Sequence, residues 1–523
     1  MLNRLKLSWS TVIIVFAVIF FVNLLSRGPD LVKYLSKPAD RWYGGQVSWF
    51  DPWDHNVYFS AIGWGKRGNL AFPNLYDTQS IRPLFIYTAY VLIGKLTKFL
   101  NISNPLSFHM AAIFLSSIFG VIVWWFLGIF IKEKKEKIII YIILIFGGGL
   151  GWLFFPQLVL PDVGQPGFNL ESAFRRPHEA ISSSLFLLTI GFFWLGRTGK
   201  KHKFLIFGAI SAFLMSFFHP YSFLTLMVIF FAWASFNWFK NDITNNFLVI
   251  FYLGLAGISW FITIGKTLID NPGFSGLMLQ VQKSPGPLLI ILGWGILFLL
   301  ALVGLFSQVD KEEVNFLKTW FIFGWLIIYL PFGFQRLLIR GLWFPVVILA
   351  VKGIGWLTKK FNLNYISLAL IVILFSTPIS FYITLKRLNE SSENRWVYLS
   401  ADEGMVIDYL RLNGSDEQGV LASYRISNII PAQTTKRVWA GHEFQTPDFH
   451  NRTQKINRFF SNQMTENEAQ SFLKKTKTAW VFFGQDERDI SQEKDLKYKF
   501  LKPIIMKKNV TLYQKQDFYE KNN

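Results

Sequence analysis

Phe50–Asn74 reads FDPWDHNVYFSAIGWGKRGNLAFPN. It follows the first apolar run of membrane-spanning length. It sets Asp51, Asp54 and His55 beside Trp53, Tyr58 and Trp64. Asp51-Pro52 marks a helix start, with Asp at the N-cap and Pro at the first helical position. Asp54 then falls in the first turn, where a helix N-terminus favours negative charge. Tyr58 follows one turn later on the same face. Acids and aromatics at the mouth of an apolar segment suit a polar site that meets a lipid-borne ligand. The same residues also suit a plainer role, two acids that cap an interfacial helix.

Outward from this stretch the chain is strongly apolar. Of 523 residues, 52% are hydrophobic and 18% aromatic, and the mean hydropathy is +0.32. That excludes an ordinary soluble protein of this length. Membrane-length runs occupy roughly 8–25, 105–131, 138–156, 181–196, 204–218, 221–239, 246–265, 287–306, 316–333, 342–358 and 364–385. Segment 81–100 is apolar too, but Pro83, Gly94, Lys95 and Lys98 interrupt it. The expected fold class is an α-helical polytopic membrane protein with about 11–13 spans. A membrane domain over 1–385 precedes a soluble α/β domain over 386–523. In that tail Asp402–Leu412 and Thr465–Lys475 read as helices, and Gly419–Ala422 and Ala479–Phe483 as buried strands. The chain has no cysteine, which excludes disulfides and thiolate chemistry.

The net charge of +20 would suggest nucleic acid in a soluble protein. Here much of it lies in loops between apolar runs, where orientation and anionic membrane lipid account for it and no nucleic-acid partner is expected. Arg4 and Lys6, Lys132–Lys137, Arg197–Lys203 and Lys359–Lys360 are compact basic segments, and the positive-inside rule places all of them in the cytoplasm. They agree if 81–100 is re-entrant or interfacial. The first run then serves as an uncleaved anchor in a multi-pass cell-membrane protein. Its N-terminus is cytoplasmic and its tail extracytoplasmic. The loops 26–80, 157–180, 219–220, 266–286 and 334–341 lie outside with the tail. Those loops hold the unusual polar residues: Asp51, Asp54 and His55, then Glu171, Arg175, Arg176, His178 and Glu179, then His219, then Gln335, Arg336 and Arg340. Charge so close to a bilayer is costly and usually functional. Taken loop by loop, each charge also fits a solvated surface.

Glycosyl transfer needs this mixture. A carboxylate takes a proton from the acceptor as the anomeric bond breaks through an oxocarbenium-like state. Cationic donors stabilise the departing phosphate. Asp54 or Asp51 fits the base, and Arg336, Arg340, Arg175, Arg176, His178 and His219 fit the phosphate partners. Nucleotide sugars are cytoplasmic, so an outward-facing enzyme takes a lipid-carried donor such as a polyprenyl-phosphate sugar. Other chemistries lack their signatures: there is no GxSxG and no HExxH. Gly147–Gly151 (GGGLG) has no following Lys and reads as close helix packing rather than a phosphate cradle.

In order along the chain, these motifs resemble the GT-C superfamily of polytopic membrane glycosyltransferases, especially the prokaryotic group of lipid-donor mannosyl- and arabinosyltransferases. DPWDHNVYFSAIGWGKRGNLAFPNLY is similar to that group's acidic loop after the first span. Asp54, four before Tyr58, matches its catalytic acid best, and Asp51 is second. Glu171–His178 (ESAFRRPH) resembles the second loop, and His219-Pro220-Tyr221 a turn between two spans. Gln335–Pro345 (QRLLIRGLWFP) resembles a late Arg-rich segment, with Leu337 in place of a second Arg and Arg340 where an acid is often found. Gly441-His442-Glu443 with Thr446-Pro447 looks like a recurrent element of the C-terminal domain.

The resemblance implies an inverting enzyme with a polyprenyl-phosphate sugar donor, an extracytoplasmic acceptor (glycan, lipid or protein) and usually no obligatory metal. On that reading Asp54 is the general base, and Arg336, Arg340 and His219 hold the donor phosphate. His55, Tyr58, Glu171, Arg175, Arg176 and His178 orient substrate. The alternatives are a lipid-linked-sugar flippase or transporter, which would line a charged pathway through the membrane, and an inactive assembly protein of the same fold.

Overall fold

Each of the eleven apolar runs forms helix in the computed structural model, which describes residues 8–48, 51–79, 82–199, 202–238, 243–270, 281–307, 312–331, 333–415 and 418–516. Arg4, Lys6, Lys200 and Lys201, on which part of the expected orientation rests, lie outside the described residues. Among the described residues six helices are long and apolar enough to cross a membrane alone: Trp9–Leu35, Asn104–Phe130, Lys134–Phe154, Pro177–Arg197, Phe247–Gly265 and Tyr365–Leu388. Pro287–Trp294 and Ile296–Leu305 make a pair bent by 95°. His202–Phe218, Tyr221–Trp238 and Glu312–Ile327 are shorter, and Trp343–Phe361 carries Lys352, Lys359 and Lys360.

The chain divides into two compact units. One comprises Met1–Pro29, Ala111–Gly265 and Leu279–Lys386; the other comprises Asp30–Met110, Lys266–Met278 and Arg387–Asn523. The first is the helical unit. Its interior is aromatic, and Trp194, Trp294, Trp320 and Trp343 are fully buried. Opposite ends of one helix carry different charge clusters. At the end of Pro177–Gly199, Arg197 pairs with Glu312 and lies 5.2 Å from the Trp194 and Trp233 rings. Glu179 lies at its start, about 27 Å away at 1.5 Å per residue.

The GGGLG run breaks the helix that ends at Phe146. Its amides do cradle an anion, but one from the same chain. Gly149 N–H and Gly151 N–H donate to Asp162 Oδ2 at 2.9 and 3.0 Å. Burial nevertheless pushes the Asp162 carboxyl up to about 7, against the pull of those amides. Close packing holds as well, since a Cβ on Gly149 would meet the Gly293 backbone.

The second unit builds its core from both ends of the sequence. Val57 and Tyr76 share a buried cluster with Leu399, Ile407, Val420, Ile430 and Phe482. Residues of the tail thus share this cluster with the first loop, while a second cluster, with Trp439, Phe459, Phe483 and Tyr498, is built from the tail alone. β1 (Arg41–Tyr43) pairs antiparallel with β2 (Tyr398–Ser400), with Trp42 opposite Leu399. β3 (Gly419–Leu421), β4 (Thr478–Phe483), β5 (Leu501–Met506) and β6 (Thr511–Lys515) form a second sheet in the order β3-β4-β6-β5. β3 runs parallel to β4 and the other pairs are antiparallel. Ser400 and Thr465 start the helices Ala401–Leu412 and Glu466–Lys475 with reciprocal capping boxes to Glu403 and Glu468.

Residues 82–100 contain a ten-residue α-helix, Thr88–Thr97, about 15 Å long against the roughly 30 Å of a bilayer core, followed by a single 3-10 turn, Lys98–Leu100. It packs against Pro52–Lys66 backbone to backbone: a Cβ on Gly65 would strike the Val91 carbonyl, and one on Gly94 the Ile62 carbonyl. A buried ion pair joins the extremes of the unit. Arg387 donates to Asp30 Oδ2 at 2.7 Å and to the Val47 carbonyl at 3.0 Å, while Val47 N–H donates to Asp30 Oδ1 at 2.9 Å.

Candidate active site

The acidic stretch forms the helix Pro52–Lys66, with Asp51 at the N-cap and Pro52 at the first helical position as expected. The Asp51 side chain does not cap it. It is buried and accepts the Ser48 hydroxyl instead. Asp54 is the residue of this group that reaches solvent, with a side chain 36% exposed. His442 Nε2 lies 3.1 Å from Asp54 Oδ1. On its other side the ring accepts the Phe444 N–H at Nδ1, 3.2 Å. An accepting Nδ1 leaves the proton on Nε2, so His442 donates to the carboxylate.

The loop that presents His442 is tightly held. Gly441 N–H donates to Thr446 Oγ1 at 3.0 Å, Thr446 Oγ1 donates to the Tyr76 carbonyl at 3.3 Å, and the amides of Gln445 and Thr446 return to the His442 carbonyl. The GH…T element is thus a clamp that fixes one imidazole against one carboxylate.

His55 and Tyr58 are core side chains. The Tyr58 ring stacks on Tyr90 at 4.3 Å and 14°. His55 Nδ1 lies 3.3 Å from the Asp51 carbonyl, with Phe108 5.6 Å from its ring. The helix is enclosed on most sides, with His55 through Gly63 continuously buried. For that reason Tyr58 does not share the solvent with Asp54 one turn away.

The other predicted residues gather within the helical unit, at the start of Pro177–Gly199. Arg340 grips Glu179 with two groups: Nε lies 3.0 Å from each carboxylate oxygen and Nη2 2.6 Å from Oε1. The Glu179 side chain is 3% exposed. Such charge-assisted, forked contacts are among the strongest hydrogen bonds in proteins. His178 Nε2 approaches Glu179 at 3.5 Å, and its ring stacks on His219 at 6.3 Å. His219 Nδ1 lies 2.9 Å from Ser222 Oγ.

Glu171 and Arg175 pair along one short helix at 3.3 Å. Arg336 donates to Gln282 Oε1 at 2.9 Å, a neutral partner. Arg176 lies within electrostatic reach of Arg336, Arg340 and Glu179. Four guanidinium groups (Arg175, Arg176, Arg336, Arg340) and two carboxylates (Glu171, Glu179) thus lie in this part of the helical unit, a cationic set suited to a phosphate. Among the described residues no group of three or more His, Asp or Glu side chains is arranged to hold a metal ion.

Two residues escape the sequence reading of the site. His442 stands in a recognised motif, but nothing local joins it to Asp54. Glu179 follows His178 directly, but its partner Arg340 is 161 positions away.

No family model matches the sequence, and no curated protein does. Solved structures do. The archaeal oligosaccharyltransferase AglB from Archaeoglobus fulgidus, in complex with an inhibitory peptide and a dolichol-phosphate, is similar at TM-score 0.57 and 12% identity, over 91% of this chain and 70% of that one. The Archaeoglobus fulgidus oligosaccharyltransferase tethered with an acceptor peptide is similar at 0.55 and 12% identity, over 90% and 69%. ArnT from Cupriavidus metallidurans, bound to undecaprenyl phosphate, matches at 0.54 and 9% identity, over 97% of this chain and 98% of its own. Likeness at such identities concerns the fold, and here it runs through nearly the whole chain. With its apolar helices, the chain is a multi-pass membrane protein that shares the fold of these oligosaccharyltransferase and ArnT structures.

Proposed function

We propose that this protein is a membrane glycosyltransferase that moves a sugar from a polyprenyl-phosphate-linked donor to an extracytoplasmic acceptor, with inversion. The observation that carries the proposal is the Asp54–His442 pair: a half-exposed carboxylate held by one neutral imidazole. In the reaction an acceptor heteroatom attacks the anomeric carbon from the face opposite the phosphate. The bond from that carbon to the phosphate oxygen breaks, and the polyprenyl phosphate leaves with the electron pair. Asp54 takes the acceptor's proton late, after charge has developed on the sugar. The His442 N–H keeps one carboxylate oxygen occupied and leaves the other to the acceptor.

Arg336, Arg340 and His219 hold the donor phosphate, and the guanidinium groups of their cluster offset its negative charge. Arg340 comes to this task already bound to Glu179, so its orientation is set before a donor arrives. Glu171, Arg175, Arg176 and His178 complete the cluster. Asp51, His55 and Tyr58 act through packing, by fixing the first turns of the helix that bears Asp54. No metal is assigned a role. The reading also keeps the cytoplasmic N-terminus and the external tail.

The test is transfer from a panel of radiolabelled polyprenyl-phosphate sugars to membrane acceptors, by purified wild-type protein and by Asp54→Asn. Transfer that disappears in a folded Asp54→Asn protein supports the assignment. Undiminished transfer by that variant overturns the base. No transfer by the wild type from any donor, with donor still bound, moves the reading to the flippase or the inactive relative.

A further inference from the structure

Beside the helix that bears Asp54, the second unit carries a cleft of about 390 Å³ that the transfer mechanism does not use. Its walls are aromatic and joined in series. Trp53 meets Trp396 at 6.2 Å and 73°, Trp396 meets Tyr424 at 5.9 Å and 75°, and Tyr424 meets Phe449 at 5.6 Å and 70°. Edge-to-face rings turn in alternating directions, so a chain of four offers apolar faces at several angles. All four line the cleft and remain half-buried. Large aromatics left uncovered in the interior of a concavity mark a binding surface more than a folding need.

The floor is polar yet electrically matched. Arg425 is buried, and it donates through Nε to Asp486 at 2.6 Å, through Nη2 to Glu403 at 2.9 Å and through Nη1 to the Arg395 carbonyl at 3.0 Å. Arg395 in turn bridges Asp486 and Asp489 at 2.8 and 3.1 Å. Burial pushes the neighbouring Glu487 carboxyl up to about 7. In the lining itself the two charged side chains, Arg425 and Asp486, are paired with each other. The polar groups nearer the rim, Thr453 and Asn457, are neutral. The Ser423 hydroxyl, also in the lining, does not cap its helix.

Stacking faces above a matched polar floor fit a ligand that is neutral, apolar on its ring faces and rich in hydroxyl groups at its edges. We propose that this cleft binds a neutral sugar residue of the acceptor. The cleft adjoins the catalytic group: Trp53 directly precedes Asp54, and the charges of Asp54 and Glu443 both bear on the Tyr424 hydroxyl. The acceptor is then a glycan or glycolipid held by one sugar while another of its hydroxyls is glycosylated. This deepens the glycosyltransferase reading and rests on it for the word acceptor; the sugar site itself does not depend on transfer.

The experiment is binding of the full-length detergent-solubilised protein, with no donor present, to an array of defined neutral and charged oligosaccharides and peptides. Wild-type protein is expected to retain neutral glycans. Trp396→Ala should weaken that binding about tenfold or more, as loss of an aromatic anchor does. Asn457→Trp, which fills the cleft from an exposed position without removing a wall, should do the same with an unchanged melting temperature. Retention of charged glycans or peptides alone, retention of nothing, or equal binding by a folded Asn457→Trp protein overturns the inference. Transfer from donor lipids is scored separately, so either reading falls without the other.

Discussion

Asp54 and Glu179 are both carboxylates near the start of a helix, and the protein treats them in opposite ways. Asp54 keeps a third of its surface in solvent and one neutral partner, His442. Glu179 is sealed from solvent and held at both oxygens by Arg340. A group that must gain and lose a proton needs an open lone pair and no permanent counter-charge. A group that fixes a cation needs the reverse. The contrast suits Asp54 to the exchange proposed for it and Glu179 to positioning, and it makes each proposed role open to attack.

The largest expected effect is on the exchanging group. Asp54→Asn keeps size and hydrogen bonding but removes the base, and should lower kcat by about 10²–10⁴ at an unchanged donor Kd. Equal loss in donor affinity would place Asp54 in binding instead. Next comes the positioning group. Arg340→Met leaves Glu179 buried without the guanidinium that grips both its oxygens, and should destabilise the protein by about 3–5 kcal/mol in a reversible unfolding assay. Adding Glu179→Met should restore most of that stability and leave donor binding weak. A double variant that recovers both folding and donor affinity would show the pair to be structural only.

Smaller again is His442→Ala. It removes one hydrogen bond to an accessible carboxylate, about 1 kcal/mol, and should reduce kcat roughly five- to tenfold with melting unchanged. The smallest effect lies in the tail. Glu487 is raised from its usual range to about 7, so its protonated form stabilises the fold below pH 5 and that contribution is lost as pH rises through 7. Glu487→Gln does not titrate. The wild-type Tm should therefore fall relative to that of Glu487→Gln from pH 5 to pH 8, and a constant difference would contradict the shift.

What could be read from sequence was local. The expected helix starts at Pro52, Asp402 and Thr465 lie within a residue of the observed ones, and the apolar runs Gly419–Ala422 and Ala479–Phe483 form strands, because caps and short buried runs act over a few positions. The superfamily fold was legible for the same reason: its motifs are short and ordered. Three features were not. Tyr58 follows Asp54 at helical spacing, but the helix is enclosed on most sides, so periodicity could not tell a wet face from a packed one. The GGGLG run looks like packing, and it is, but its amides also hold Asp162, whose position comes from a later loop. And the partners of Asp54 and Glu179 are set by tertiary folding across 388 and 161 positions, distances over which no pattern rule operates.

The tie of Arg387 to Asp30 and Val47 bears on how the protein is made. A ribosome delivers Asp54 early, yet the strand, the imidazole and the guanidinium that enclose its unit belong to residues 387–515. Domains usually fold in the order of synthesis. Here the early loop has no core to join until the helical segments between have been inserted and the far end of the chain has emerged. Asp54 thus waits without its partners through most of biogenesis, and on the proposed reading the proton acceptor is assembled last. Inactivity before completion is built into the order of the sequence, and a nascent chain arrested before residue 387 should carry Asp54 without the partners that orient it.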